Sequence, residues 1–267
     1  GCQWFETLLA LPGASNAARA RGLTGLASLE YWQGDDSRAT AHYEEALGCY
    51  RELGDRFNEA DTLFSMSMSI RYDFERCERL ASEALAMFEE LGSREKSGQV
   101  YMAIAALMHR QGRHDEARPL WERALSIAYE LGDRQLAVTQ EIGIGICEYH
   151  AGDLDQALRI ALTCLNKAEK LDNVQLAIWM LEYIAAFSAS INPREAACLA
   201  GAVDALQREA GGVIPLDSLG ISDARGVASE SLGPDRYLAA VSKGRALTLE
   251  QAIEYARGLN RPPSEST

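Results

Sequence analysis

Apolar and small residues recur at helical spacing along most of the chain, and the recurrence itself repeats. Between Glu95 and Leu131, the positions Tyr101, Ile104, Ala105, Met108, Ala117, Leu120, Trp121, Ala124 and Leu125 form two such series, the spacing that gathers side chains on one helix face. They predict a helix A over about Glu95 to Gln111, a turn at Gly112 and Arg113, and a helix B over about His114 to Leu131. Pro119 is placed in the first turn of helix B, where backbone N–H groups have no intrahelical partner. The segment Glu45 to Arg56 returns as Glu83 to Arg94 and as Arg123 to Arg134, with a worn fourth copy ending at Leu171, Asp172 and Asn173. The leucine before each turn stands at Leu53, Leu91, Leu131 and Leu171, in steps of 38, 40 and 40 residues. That period is characteristic of stacked helix pairs. One such unit cannot bury its apolar face alone and needs neighbours.

The other units overlay on this one. Leu23, Leu26, Ala27, Gly34, Ala39, Tyr43, Ala46 and Leu47 take the corresponding places in the first; Ile144, Gly145, Gly152, Ala157, Ala161, Cys164 and Leu165 take them in the fourth. The second lacks the Gly-Asp pair at its turn near Tyr72 and Asp73 and is two residues shorter there. Gly54, Gly92 and Gly132 are expected to close helix B in the left-handed conformation, with Asp55, Ser93 and Asp133 capping the next helix. A fifth pair follows, helix A over 174–190 and helix B over 193–210. The predicted organisation is a lead-in helix at 1–16, repeats over 17–191 (units near 17–55, 56–93, 94–133 and 134–173, then helix A of a fifth), a last repeat helix with capping helices over 192–258, and a disordered linker at 259–267. The expected fold class is all-α, a right-handed superhelical solenoid of helix-turn-helix pairs with a C-terminal capping segment.

Charge narrows the functions. Lys and Arg total 26 against 39 Asp and Glu, a net charge of -13, which disfavours contact with a phosphate backbone. The longest apolar stretch, near Val174 to Ile191, is interrupted by Gln175 and Glu182 and falls short of a membrane span. The six cysteines include no CxxC pair. Cys77 and Cys164 replace alanines of other units and read as small buried residues, which fits a reducing cytoplasm. The chain does not begin with Met and shows no signal peptide, so it is expected to be part of a longer protein.

The Gly-Asp, Ala and Ala-Leu positions quoted above resemble the helix-pair signature of the tetratricopeptide repeat across about Ala17 to Leu171. The runs Ala196 to Ala202 and Gly244 to Ile253 resemble the close of the repeat region in large actinobacterial-type signalling ATPases of the STAND class, which often carry a LuxR-type DNA-binding domain, a cyclase-like domain, or both. The resemblance implies a non-catalytic sensor or interaction module of a transcriptional or signalling regulator. Its partners would be a protein or peptide, or a small-molecule inducer, with an ATPase domain attached in the parent chain. No P-loop run Gly-x-x-x-x-Gly-Lys-Ser/Thr is present in this sequence, so ATP hydrolysis is assigned elsewhere. A free-standing scaffold holding a peptide or protein tail is the alternative.

Candidate chemistry is sparse. The four histidines are His42, His109, His114 and His150; with no HExxH and no metal-ligand spacing, no metal, cofactor or catalytic group is predicted. The constellation that stands out lies at the ends of successive A helices, at Tyr31 and Trp32, Arg71 and Tyr72, His109 and Arg110, and Tyr149 and His150. Earlier turns add Thr24, Phe64, Met68, Met102, Ile142 and Ile146. In tetratricopeptide folds helix A lines the concave face, so the resemblance implies a groove with an aromatic and cationic rim and an apolar floor, suited to a peptide, an acidic helix or a ring-bearing small molecule.

Overall fold

The computed structural model describes residues 15–70, 73–210 and 224–259, together with Phe5 and Ile221. Among the described residues the chain is all α, with thirteen helices and no strand. Ten helices follow one another in pairs: α1 (Asn16–Trp32) and α2 (Asp36–Leu53), α3 (Arg56–Ser69) and α4 (Phe74–Glu90), α5 (Arg94–Arg110) and α6 (His114–Glu130), α7 (Arg134–Ala151) and α8 (Leu154–Lys170), α9 (Val174–Ser188) and α10 (Pro193–Ala210). Three shorter helices follow, α11 (Ala224–Leu232), α12 (Pro234–Arg245) and α13 (Leu249–Gly258). The chain divides into two compact units, residues 1–107 and 108–267, the division falling within α5. Most of the expected lead-in helix at 1–16 and of the linker at 259–267 lies outside the described residues.

Local chemistry sets the turns. Asp35, Asp55, Asp73, Asp133, Asp153 and Asn173 each accept a hydrogen bond from the backbone N–H three residues on, which satisfies a donor that the helix start would otherwise leave open. Gly132 closes α6 at φ 70°, and in the worn copy Asp172 takes the equivalent left-handed place at φ 52°, at a cost glycine does not bear. The second pair differs as its sequence does: α3 stops at Ser69, and Ile70 is extended at φ -87°, ψ 116°. Pro119 corrects the expectation above. It is the sixth residue of α6, past the first turn, so the helix forgoes the bond that an N–H at this position would have made to the Asp115 carbonyl.

The first unit buries Leu23, Leu26, Leu63 and Phe88 among Ala20, Ala27, Ala60 and Ala84. It also buries a charge, Glu30, whose carboxylate is met by Arg38 at 2.9 Å and His42 Nδ1 at 2.6 Å, as a desolvated carboxylate requires.

The second unit is organised around α9. From Leu176 to Ser188 every residue except Trp179 is buried, and α8, α10, α11 and α13 all pack against this helix. An apolar helix with no polar face is stable only when covered on all sides. Its one carboxylate, Glu182, accepts from Gln207 Nε2 at 3.4 Å and lies 4.0 Å from Arg225 of α11. No helix among the described residues is long and apolar enough to cross a membrane.

Backbone contact locks α12 onto α10. A Cβ added at Gly244 would sit 1.8 Å from the Cys198 carbonyl oxygen, and one at Gly201 2.3 Å from that of Val241. Ala197, Ala228, Ala240 and Val241 fill the seam. The last helix starts on a capping box, with Thr248 and Gln251 exchanging side-chain and backbone bonds.

Gly244→Ala is expected to lower stability by about 2–3 kcal/mol, because backbone rather than a side chain must yield. Gly48→Ala, in α2 with open space around the new methyl, should instead raise it by up to about 1 kcal/mol. Urea midpoints of the two variants test this; equal midpoints would contradict the α10–α12 contact.

Candidate functional site

The candidate residues fall in both units. In the first, Tyr31 is half-buried with its ring 5.4 Å from that of Trp32, which is 82% exposed. Phe64 and Met102 are half-buried, and Met68 is 55% exposed. The Thr24 hydroxyl donates to the Ala20 carbonyl at 3.0 Å and is thus satisfied within its own helix. Arg71 and Tyr72 lie outside the described residues.

In the second unit the structure corrects the expected groove floor. Ile142 and Ile146 are buried in the core around α9, because the face of α7 that carries them meets α8. Tyr149 stacks on Phe187 of α9, centroids 5.2 Å apart, so this ring also packs between helices. Arg110 is exposed. His109, expected on the rim, is an interior residue at 1% exposure.

His109 belongs to a polar network that the spacing did not foretell. It lies in the last turn of α5, His114 opens α6 and His150 lies in the last turn of α7. Trp121 donates its indole N–H to His109 Nε2 at 2.9 Å, and His109 Nδ1 lies 2.9 Å from His114 Nδ1. The His114 and His150 rings stack in parallel, centroids 3.6 Å apart and 3° from coplanar. Gly143 makes room for this arrangement, since a Cβ there would lie 2.3 Å from the Trp121 ring. The Cys147 thiol lies 3.7 Å from His109 Nε2 and donates to the Gly143 carbonyl at 3.4 Å; burial pushes it up to about 11.

The donors and acceptors fix the protons. An Nε2 that accepts from Trp121 leaves the neutral His109 ring its proton on Nδ1, which is then donated to His114 Nδ1. Burial, then repulsion from His114 and His150, holds the His109 pKa down at about 4, and burial lowers that of His114 as well. His109 and His114 are therefore neutral at pH 7. Ring nitrogens of His109, His114 and His150 lie within 4.8 Å of one another, a separation open to a metal ion. Both nitrogens of His109 are nonetheless engaged in hydrogen bonds, and the in-plane lone pairs of two parallel stacked rings do not converge on one point. A bound ion would require His109 to leave Trp121 and the stacked rings to turn.

Because the folded pKa of His109 is depressed, the unfolded chain takes up the proton first as pH falls. Stability from this residue is full above about pH 6.5 and is lost on the way to pH 4, by about 2 kcal/mol once water access to His114 and His150 is allowed for. His109→Gln is expected to be less stable at pH 7 and to lose less between pH 6.5 and 4. Denaturant midpoints across that range check this; parallel curves for the two proteins would refute the buried neutral imidazole.

Comparison with known proteins places this geometry. Tetratricopeptide-repeat models match residues 19–53 and 96–170. Among curated relatives, proteins of Mycobacterium bovis and Mycobacterium tuberculosis, named as candidate HTH-type transcriptional regulators, are 24% identical over 222 residues. That match takes in 80% of this chain and 25% of each relative, so the chain spans about a quarter of their length. Among solved structures, a Signal Transduction ATPase with Numerous Domains (STAND) protein with a tetratricopeptide repeat sensor, from Pyrococcus horikoshii, superposes at TM-score 0.68 and 14% identity, over 96% of this chain and 41% of that one. A Rap protein complexed with Competence and Sporulation Factor gives TM-score 0.59 at 16% identity, over 96% and 78%. Aspartyl phosphate phosphatase F from Bacillus subtilis gives 0.63 at 13%, over 92% and 64%. The chain carries tetratricopeptide repeats, at residues 19–53 and 96–170, and has the all-α fold of these repeat proteins.

Proposed function

We propose that the chain is the sensor and protein-interaction module of a multidomain STAND-type regulator, without catalytic activity of its own. The observation that carries this reading is one of proportion. The same fold covers nearly all of this chain but only 41% of a STAND protein named for its repeat sensor, and the chain matches a quarter of the length of HTH-type relatives. Nucleotide hydrolysis and DNA binding then belong to other parts of a cytoplasmic parent protein, in keeping with a net charge of -13. An inducer or partner acts on the attached ATPase only through its different affinity for two states of the repeats. The contact residues proposed for it are, in the first unit, the exposed Trp32 and Met68 with half-buried Tyr31, Phe64 and Met102, and, in the second, the exposed Arg110 with half-buried Tyr149 and His150.

A free-standing scaffold that holds a peptide or protein tail is the second reading. It draws on the Rap complex, of which the chain matches 78%. The phosphatase neighbour does not argue for catalysis here, because a shared fold leaves the chemistry open.

Reading the coding DNA for several hundred codons on both sides separates the two. A P-loop upstream is expected; stop codons close on either side would overturn the regulator reading. Trp32→Ala with Met68→Ala, both exposed, should leave stability within about 0.5 kcal/mol and raise the half-saturating concentration of partner or inducer at least tenfold in a binding titration. Unchanged binding would remove these residues from the site.

A further inference from the structure

The C-terminal helices form a cavity unlike the candidate groove. It measures about 400 Å³ and lies between α10, α12 and α13, with Arg194, Arg236 and Lys243 around it. Buried Cys198 and Ala240, with Leu232, make an apolar floor, and Tyr255 supplies a ring as one wall. No Asp or Glu lines it. Among the described residues none of the three cations has a carboxylate within ion-pair distance, whereas nearby Arg225 and Arg245 are met by Asp204 at 2.5 and 3.6 Å and Arg257 by Glu169 at 2.5 Å. In a chain with 39 acidic residues against 26 basic ones, three such cations around one cavity run against the average charge.

The cations are set on a stiff frame. Arg236 and Lys243 are seven residues apart on α12, two turns along one face and about 10 Å from each other along the axis. Arg194 faces them from the first turn of α10, and the Gly201 and Gly244 contacts hold the two helices together. Lys243 Nζ stands 5.0 Å from the centre of the Tyr255 ring, so an ammonium already sits over an aromatic face.

We propose that this cavity binds a small phosphate ester carrying a flat apolar body. The phosphate, with a charge of about -1.5 to -2 near neutrality, sits between the guanidinium forks and the ammonium, whose donors suit its oxygens. The body lies against Tyr255 and Leu232. The volume falls within the range of small-molecule sites. The site does not depend on the regulator reading, since it would bind equally in a free-standing repeat protein.

Calorimetric titration with phenyl phosphate, inorganic phosphate and phenol tests the proposal. Phenyl phosphate is expected to bind the whole chain with a dissociation constant at or below about 1 mM, with phenol and inorganic phosphate each at least tenfold weaker. Arg236→Gln with Lys243→Gln, both exposed, should weaken phenyl phosphate at least tenfold at an unchanged urea midpoint. Lys243→Arg, which keeps the charge, should stay within threefold of the parent. Absence of binding at 10 times that concentration, equal affinity for inorganic phosphate, or undiminished binding by the double variant would each overturn it.

Discussion

The second unit depends on covering α9. A helix with apolar residues on every face cannot present any of them to water at a tolerable cost, since each buried Leu, Ile, Met or Phe contributes about 1.5–3 kcal/mol. A further stacked pair would cover only part of it. The structure meets the demand with α8 and α10 on the repeat side and α11 and α13 from the C-terminal segment. The three short helices are thus part of the core they close. Arg225 of α11 also brings a positive charge to Glu182, so the covering element answers the one carboxylate on α9 as well.

The same logic of satisfied interiors explains the polar residues. Glu30 is buried because Arg38 and His42 meet it. His109 is buried because Trp121 and His114 supply one donor and one acceptor, and Trp121 can do so because Gly143 leaves its ring room on α7. These networks are costly if half made and specify one arrangement if complete. The histidine cluster is therefore a structural feature first, sensitive to acid because a proton on His109 Nε2 or His114 Nδ1 removes the acceptor of a hydrogen bond.

The helix pairs were legible in the sequence because each turn is local chemistry: the Asp caps and left-handed glycines recur at fixed offsets, and the 40-residue step follows. What sequence reasoning missed depends on contacts across space. Ile142 and Ile146 lie on an A helix but on its inward face, which the period alone did not separate from the open one. Pro119 is the sixth residue of a helix that starts at His114 as expected, so it lies past the first turn by position alone. His114 and Trp121 meet His109 only through the pairing of helices. The roles of Gly201 and Gly244 were hidden as well, since a glycine that admits a neighbouring backbone looks in sequence like any other.

The repeat matches and the structural neighbours agree on the fold, a series of stacked helix pairs. The central physical claim is that α9 is the covered centre of the second unit and the C-terminal helices are its lid. Native-state hydrogen exchange on the whole chain tests it most directly. The account predicts that amides of α9 are the slowest in residues 108–267 and that they open only together with α10. Exchange in α9 as fast as in α13, while α7 and α8 stay protected, would contradict it.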